Sequence, residues 1–505
     1  MNYSKIKAID SHIPADRQGA KRHYGVHPYF TRRPFNVVRS YILRYSKERD
    51  RVLDPFGGSG VTAIEAFLEN RIGIHNDINP LANFIASNIA DLTRGDILDL
   101  DKSLHYIEGK CRPVLKDIER AEDKKLRNIE KTVTLPKNIE LPKTSDVTHY
   151  FDLFSRRQLL SLSVLKNAIE TIENEHARKG MLLAWSATLA KLNKTFLSAE
   201  GRAESRGGSS IFSIYRYKVA QEPVELSPWE TFYERAANIL DAKTEITKTI
   251  AAKEQTSGWC GEFEAHSEDV ESLSKKLAGS IDYIFTDPPY GRHISYLDLS
   301  TLWNAWLGQL PDIKARKKEM IVGGELDLSE SHYTDRLGKS IEACMRMLKQ
   351  DRWCSIVFQH WNVKYFEAIL SSAADSGAEL KAAVSQVGDP IWSMHKKKNK
   401  DSVLAGELIL TFYKSGKIKR AKKNGHFDVA HFIDKVLDKN PGDKIFGEYL
   451  FNRLIIEAWH SAAIESLNIS KGDFVDLLEK RGWYYDDANH YWLKNNPQPT
   501  TLFEM

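Results

Sequence analysis

Two separated segments of the sequence combine residue types that could hold a ligand and act on it. The first is a strand-like run that ends in a glycine loop: Val52, Leu53, Asp54, Pro55, Phe56, Gly57, Gly58, Ser59 and Gly60. Glycines before a helix let backbone amides approach a ligand closely, and the start of the helix favours an anionic group. P-loops place a lysine after the last glycine, but Val61 stands here. The loop therefore indicates a tight turn or a ligand site, and a phosphate cradle is disfavoured.

An acidic residue follows the glycine loop near the end of the second predicted strand, residues 72–78. At this position Asp77 could accept hydrogen bonds from the ribose hydroxyls of a nucleotide-type cofactor. The alternative is that Asp77 only caps the helix that begins near Pro80.

The second segment is Asp287, Pro288, Pro289 and Tyr290, directly after the apolar strand 283–286. Two prolines cannot continue a hydrogen-bonded ladder, so the chain must leave the sheet at the carboxyl end of this strand. Open α/β sheets bind their ligands at that edge. We therefore expect an acidic group, a carbonyl and an aromatic ring to lie beside the ligand of the glycine loop.

Together these motifs resemble the amino-methyltransferases of DNA, whose cofactor loop reads Asp-Pro-Phe-x-Gly-Ser-Gly and whose catalytic loop reads Asp-Pro-Pro-Tyr. The resemblance covers residues 23–100 and 262–414, including His27, Pro28, Tyr29 and Phe30. The sequence departs from the family at Val61, where threonine is usual, and in the long insert between the two motifs. The resemblance implies an α/β fold with a Rossmann-like class I methyltransferase sheet.

The resemblance also implies that the cofactor is S-adenosylmethionine. The glycine-loop residues that match the family's cofactor loop would hold its methionine and ribose part, and they are Asp54, Phe56, Gly57, Gly58 and Gly60. Asp77 would bind the ribose hydroxyls, and Asp269 resembles the acidic residue that contacts the adenine. The alternative for Asp269 is a solvated acidic turn, because Glu268 and Glu271 are its neighbours.

The catalytic loop implied by the resemblance consists of Asp287, Pro288, Pro289 and Tyr290. An exocyclic amino nitrogen is a poor nucleophile, since its lone pair is delocalised into the base. If the Asp287 carboxylate and the Pro288 carbonyl accept its hydrogens, the lone pair is localised and can attack the methyl group. Tyr290 would stack on the target base, which must leave the duplex to reach the loop. This chemistry needs no metal.

Asp rather than Ser at position 287 favours adenine N6 as the target in this family. The alternatives are cytosine N4, an amino group of RNA, and a recognition subunit of a restriction or defence complex. Methylation of the cytosine ring is disfavoured, because it needs a cysteine nucleophile and neither Cys344 nor Cys354 follows a suitable proline loop. The four cysteines are scattered and show no zinc-site spacing.

A length of 505 residues favours two or three domains. Residues 1–102 are predicted as the cofactor-binding half of the methyltransferase domain and 259–415 as its catalytic half, closed by antiparallel strands at 380–387 and 407–414. Residues 103–258 have mostly helical periodicity and are predicted to form an insert that recognises the target. Residues 416–505 are predicted as a helical C-terminal domain. Its aromatic residues are expected to pack in a core, with a contact surface as the alternative, and they are Trp483, Tyr484, Tyr485, Tyr491 and Trp492.

The net charge of +4 is small, so binding to DNA must rely on local clusters. Segment 191–218 contains the predicted nucleic-acid-binding residues Lys191, Lys194, Arg202, Arg206, Arg216 and Lys218, interleaved with Phe196, Phe212, Tyr215 and Tyr217. This mixture suits phosphate contacts and base stacking, although a solvated loop is the alternative. The lysine run at 395–400 is a second candidate for phosphate contact or a solvated loop, and residues 417–423 read as a basic linker.

The longest apolar runs are far shorter than the roughly 18 residues that a membrane span needs. Residues 1–10 contain no continuous apolar segment of the signal-peptide type. We therefore expect no membrane association and a location in the cytoplasm.

Overall fold

A computed structural model describes residues 2–16, 21–197, 208–292, 294–386, 404–416, 425–438, 444–445, 449–489 and 491–494. The chain divides into two compact units. The first unit comprises residues 16–273 and 291–330, and the second comprises residues 1–15, 274–290 and 331–505. The glycine loop and the long insert therefore belong to the first unit, whereas the Asp-Pro-Pro-Tyr segment belongs to the second.

The strands of the described residues range from two to eleven residues. They are β1 (Arg51–Asp54), β2 (Ile72–Asn76), β3 (Phe196–Leu197), β4 (Gly208–Ser209), β5 (Glu262–His266), β6 (Ile281–Thr286), β7 (Leu348–Phe358), β8 (Ala378–Gln386), β9 (Glu407–Lys414), β10 (Lys444–Ile445), β11 (Trp483–Asp486) and β12 (Tyr491–Lys494).

The helices range from single turns to long rods in the insert. They are α1 (Phe35–Tyr45), α2 (Val61–Leu68), α3 (Pro80–Asp91), α4 (Ile97–Arg120), α5 (Asp123–Glu130), α6 (Arg156–Glu170), α7 (Glu175–Leu189), α8 (Ser210–Ser213), α9 (Pro228–Ser257), α10 (Val270–Lys276), α11 (Tyr296–Leu299), α12 (Thr301–Leu307), α13 (Ile313–Arg316), α14 (Glu330–Met347), α15 (Val363–Asp375), α16 (Val429–Asp438), α17 (Leu450–His460) and α18 (Lys471–Glu479).

In the first unit, β2 lies between β1 and β5 and runs parallel to both. The apolar side chains of Val52, Leu53 and Ile74 are fully buried, which explains why β1 and β2 were predictable from their sequence. The sequence analysis missed β5. Its residues alternate charged and apolar, and all of them are exposed or half-buried because β5 is the edge strand.

In the second unit, β6 pairs in parallel with β7, and β9 pairs antiparallel with both β7 and β8. Every residue of β6 is buried. The predicted closing antiparallel pair is confirmed as β8 and β9. The full strand order is β5-β2-β1-β6-β7-β9-β8, so the sheet is mostly parallel and Rossmann-like, as predicted.

The insert is mostly helical, as expected, and packs its long helices α4, α6, α7 and α9 against one another. The buried face of α4 carries apolar residues at helical spacing: Leu100, Leu104, Ile107, Cys111, Leu115 and Ile118. Two buried tyrosines join the insert to the segment 296–307. Tyr150 donates a hydrogen bond to the carbonyl of Leu302 at 2.5 Å, and Tyr217 donates to the carbonyl of Leu299 at 2.7 Å.

The C-terminal region contains the helices α16, α17 and α18, together with a small antiparallel sheet of order β10-β12-β11 that the sequence analysis did not predict. Trp483 and Trp492 are buried, as expected for core residues. The ring of Trp361, which follows β7, lies 4.5 Å from the ring of Phe451 on α17. None of the helices in the described ranges combines the length and apolar character needed to cross a membrane.

Gly73 lies where β2 passes close to α2, and a Cβ at this position would lie 1.9 Å from the carbonyl oxygen of Ala63. We expect Gly73→Ala to lower the free energy of unfolding by about 3 kcal/mol, because the backbone must shift to make room. Gly109→Ala in α4 is the matched control, since its Cβ would meet open space. It should raise stability by roughly 0.5–1 kcal/mol in chemical denaturation. Equal stability of the two variants would contradict the tight contact at Gly73.

Candidate functional site

The glycine loop begins at the carboxyl end of β1 and is fixed by the side chain of Asp54. This buried carboxylate accepts hydrogen bonds from the backbone N–H of Phe56 at 3.1 Å and from the hydroxyl of Thr62 at 2.9 Å. Because Phe56 precedes the glycines and Thr62 lies in the first turn of α2, Asp54 connects the two ends of the loop. Its carboxylate therefore shapes the loop from within.

The glycines of this loop are required by close approach and by backbone conformation. A Cβ on Gly57 would lie 2.2 Å from the Nδ1 atom of His75, and the N–H of Gly57 donates to the carbonyl of Asn76 at 2.8 Å. Gly60 has a φ of +89°, in the left-handed region that favours glycine. The loop can therefore lie directly against β2 and turn into α2.

Asp77 is joined to the glycine loop by a direct hydrogen bond. Its carboxylate accepts from the N–H of Gly58 at 2.9 Å and from the N–H of Asn79 at 2.8 Å. Burial raises the pKa of Asp77 to about 6, although the two N–H groups act in the opposite direction. The N-cap residue of α3 is Asn79, whose side chain accepts a hydrogen bond from the N–H of Leu81. Asp77 is therefore not the N-cap residue of this helix.

The ring of Tyr29 lies close to this carboxylate in the first unit. Tyr29 faces Gly58, where a Cβ would lie 3.2 Å from its ring, and it stacks on Tyr296 with 6.4 Å between ring centroids. Burial, and then the charge of Asp77, raise the pKa of Tyr29 well above its usual value, so its hydroxyl stays neutral. No role was predicted for Tyr29 from the sequence. Its only signal was its place in the His-Pro-Tyr-Phe stretch.

The stretch that contains Tyr29 is anchored to the insert through His27. The Nε2 atom of this buried ring lies 3.0 Å from the hydroxyl of Ser186 on α7. Burial lowers the pKa of His27 to about 3, so the imidazole is neutral. The insert thus contributes directly to the position of the segment that covers the glycine loop.

The acidic turn after β5 is fastened to the glycine loop by Asn76. The side-chain amide of Asn76 donates to the carbonyls of Pro55 and Glu268, both at 3.0 Å, and accepts from the N–H of Glu268 at 3.1 Å. Asn76 was not predicted as a site residue, because nothing in the local sequence separates it from other polar residues at strand ends.

Asp269, the predicted adenine contact, already has partners. Lys318 lies 2.5 Å from its carboxylate, and the hydroxyl of Ser272 donates to it at 2.7 Å. Burial raises its pKa, but the hydrogen bond from Lys318 and those from Ser272 outweigh this and hold the pKa below its usual value. The role of Asp269 toward a cofactor stays a prediction.

A second unusual carboxyl group lies in the segment after the catalytic loop. Glu319 is buried and accepts a hydrogen bond from the N–H of Leu297 at 3.0 Å. Burial, followed by the charge of Asp298, raises the pKa of Glu319 to about 8, and Asp77 adds to this effect. The group is therefore protonated at neutral pH. Glu319 was not predicted as a site residue, since only its burial in the folded chain makes it unusual.

In the second unit, the predicted catalytic loop is rigidly held where it leaves β6. The hydroxyl of Tyr333 donates to the carbonyl of Pro289 at 2.5 Å. The ring of Tyr290 packs edge-on against Phe358 of β7, with centroids 5.3 Å apart. Asp287 is half-buried at the end of the strand. The loop thus presents a carboxylate, a carbonyl and an aromatic ring from a fixed backbone.

The predicted nucleic-acid residues differ in their surroundings. The side chain of Lys191 is only 13% exposed and pairs with Glu234 at 3.2 Å. Lys194 is half-buried and Lys218 is exposed, and Arg216 is half-exposed and pairs with Asp146. Arg202 and Arg206 lie outside the described residues, as do the basic runs 395–400 and 417–423.

The aromatic residues of the same segment divide into two groups. Phe196 and Tyr217 are buried inside the first unit, which corrects the expectation that they face a nucleic acid. Phe212 and Tyr215 are half-exposed and remain candidates for base stacking.

Residues 8–85 match a protein-family model described as DNA methylase. This segment contains Tyr29, the glycine loop and Asp77. The resemblance to the amino-methyltransferases of DNA is therefore confirmed over this part of the chain, and with the Rossmann-like sheet it indicates a methyltransferase. No curated protein sequence matches the chain.

The solved structures that resemble the chain include the rRNA methyltransferase aviRa from Streptomyces viridochromogenes. The two chains are 11% identical, with a TM-score of 0.28, over 77% of this chain and 87% of the other. A similarity this low has no bearing on the activity.

The half-buried carboxylate of Asp77 should make stability depend on pH. Its pKa is about 6 in the folded chain against an ordinary value of 3.8, so the folded chain binds more protons than the unfolded chain between these values. As the pH rises from about 4 to 6, the parent should lose up to about 3 kcal/mol of stability relative to Asp77→Asn, and no more above that range. Denaturation at a series of pH values measures this difference. Parallel pH profiles would contradict a buried ionisable Asp77.

Proposed function

We propose that the protein is an S-adenosylmethionine-dependent DNA methyltransferase that modifies an exocyclic amino group, with adenine N6 favoured over cytosine N4. The observation that carries this proposal is the Asp77 carboxylate bound to the N–H of Gly58 within the segment that matches the DNA methylase model. A carboxylate held beside a glycine loop is the arrangement that accepts ribose hydroxyls in nucleotide-type sites. The Asp-Pro-Pro-Tyr loop supplies the matching catalytic groups.

The first unit offers donors and acceptors that fit S-adenosylmethionine, which supplies an activated methyl group when bound. Asp77 would hold the ribose hydroxyls, and Tyr29 would line the same pocket next to Gly58. The other glycine-loop residues, Asp54, Phe56, Gly57 and Gly60, would shape the site for the methionine and ribose part. A Cβ on Gly58 would press on Tyr29, so the space above this glycine is available only because the side chain is absent.

Asp269 could contact the adenine, but its carboxylate already has two partners. Its carboxylate is shared between Lys318 and Ser272, so an adenine amino group would compete with Lys318 for one oxygen. Asp269 remains part of the proposed cofactor site, next to Lys318.

The catalytic loop would act on the target amino group through Asp287 and the Pro288 carbonyl. Both are acceptors, so both can draw the amino hydrogens and localise the nitrogen lone pair. Positive charge moves to the nitrogen as the methyl group is transferred, and the Asp287 carboxylate stabilises it. Tyr290, held by Phe358, would stack on the base. Most of the rate would then come from positioning, because these groups are held before the base arrives.

The proposed polymer is DNA, from which the target base is flipped at a cost of a few kcal/mol. Arg216 and Lys218 supply exposed cations in the described part of the insert, and Arg202 and Arg206 lie in the same segment. We also propose, from the sequence resemblance alone, that the protein works with subunits of a restriction or defence system.

Asp287→Ala tests the catalytic assignment. We expect methyl transfer to fall below detection while the affinity for S-adenosylmethionine changes little, because the lost acceptor acts only on the target nitrogen. Labelled-methyl transfer to DNA measures the first quantity and titration calorimetry the second. Methyl transfer at the parent rate would contradict the role of Asp287.

The substrate is identified with the parent protein in the same assay. Duplexes in which either all adenines or all cytosines have lost their exocyclic amino groups distinguish N6 from N4 transfer. Transfer to RNA of matched sequence, and none to DNA, would contradict the proposed polymer.

Tyr333→Phe tests whether the catalytic loop must be fixed through Pro289. Removing the hydroxyl should lower kcat by about 10- to 100-fold and leave KM for both substrates nearly unchanged, because the loop is mispositioned only for the reacting step. Tyr365→Phe is the matched control, since it removes a hydroxyl from the neighbouring ring, whose centroid lies 4.7 Å from that of Tyr333. Equal kcat values for the two variants would show that the Tyr333 hydroxyl does not position the loop.

A further inference from the structure

A small loop of the insert, residues 208–218, ends in an exposed apolar tip. The single-turn helix α8 leads to Ile214 and Tyr215, and the chain returns through Arg216 to the buried Tyr217. Ile214 is 50% exposed. The tip therefore places an aliphatic side chain in solvent although its flanks are anchored in the first unit.

The loop is tied together at its base by the side chain of Ser210. The Ser210 hydroxyl lies 3.0 Å from the carbonyl of Arg216 and accepts a hydrogen bond from the N–H of Lys218 at 3.1 Å. The N–H of Ser210 donates to the carbonyl of Thr195 at 2.9 Å. Because the base is closed in this way, the tip is presented without a large loss of conformational entropy on binding.

The tip contains a tyrosine in a left-handed backbone conformation. Tyr215 has a φ of +54°, a region that costs residues other than glycine roughly 1–3 kcal/mol. Such strain is concentrated at functional sites. Lys218 follows and is exposed, and the half-exposed Arg216 pairs with Asp146, so the apolar tip has two cations beside it, one of them shared with a carboxylate.

The loop is also connected to the groups around the glycine loop. The ring centroid of Phe30 lies 5.5 Å from that of Phe212 and 5.2 Å from that of Tyr29. The ring of Tyr29 in turn faces Gly58. Tyr217 binds the carbonyl of Leu299 in the segment that follows the catalytic loop in sequence. The tip is thus held at a fixed position relative to the proposed cofactor site within the first unit.

We propose that Ile214, supported by Tyr215, enters the DNA duplex at the target base pair and fills the space that the flipped base leaves. This inference rests on the proposed function. A flipped base leaves a gap in the stack, and apolar side chains are inserted between base steps by proteins that distort DNA. Arg216 and Lys218 would contact the phosphates on either side of the insertion. A single exposed aliphatic side chain with cations next to it suits a nucleic acid better than a protein partner, which needs a wider apolar patch.

Ile214→Ala tests the insertion, with methyl transfer measured on two duplexes. One is fully paired, and in the other an abasic site lies opposite the target base, so that flipping is easier. On the paired duplex we expect kcat/KM to fall by about tenfold, the equivalent of about 1.4 kcal/mol of lost flipping energy. On the abasic duplex the variant should approach the parent. Ile214→Leu should keep activity on both.

Ile313→Ala is the matched control, since Ile313 is 53% exposed in the same unit and lies outside the loop. It should leave both rates unchanged. Equal losses for Ile214→Ala on the two duplexes, or no loss on the paired one, would overturn the insertion alone. A parent protein that methylates RNA and no DNA duplex would overturn the proposed polymer and the insertion with it.

Discussion

The carboxylate of Asp77 connects the two backbone segments on which the proposed cofactor site depends. It binds the N–H of Gly58 in the glycine loop and the N–H of Asn79 at the start of α3. These bonds form because β1 and β2 run parallel, so that their carboxyl ends lie at the same edge. Burial raises the pKa of Asp77 to about 6, yet the group is still largely ionised at neutral pH. It can therefore accept hydrogen bonds where the ligand would lie.

The proposed catalytic loop, residues 287–290, must hold its hydrogen-bond acceptors in fixed positions at the end of β6. Its two prolines lack N–H groups, so the loop cannot be fixed by donating hydrogen bonds there. Tyr333 instead donates to the carbonyl of Pro289, and Phe358 supports the ring of Tyr290. Both supports are on elements distant in sequence from the loop. Rigidity at this point thus comes from the packing of the second unit and not from the loop itself.

The insert has its own helical core, and polar contacts connect it to the rest of the first unit. Tyr150 and Tyr217 bind carbonyls of the segment 296–307, and Ser186 contacts the His27 ring. These contacts hold the insert at a fixed position relative to the stretch 27–30 and the segment 296–307 of the first unit.

The sequence by itself determined the elements whose signals are local. Periodicity, glycines and prolines were enough to predict five features. These are the glycine loop, Asp77, the point where the chain leaves β6 at Asp-Pro-Pro-Tyr, the helical insert, and the closing pair β8 and β9. The edge strand β5 and the small C-terminal sheet were missed, because polar or very short strands lack a distinctive pattern.

Only the tertiary structure decided which side chains are available to a ligand. Lys191 is paired with Glu234, Asp269 with Lys318, and the hydroxyl of Tyr217 is used inside the first unit. Each of these partners lies more than 40 positions away in the sequence. Such contacts cannot be predicted from a residue's neighbours in the sequence, because the contacts form only when distant segments pack together.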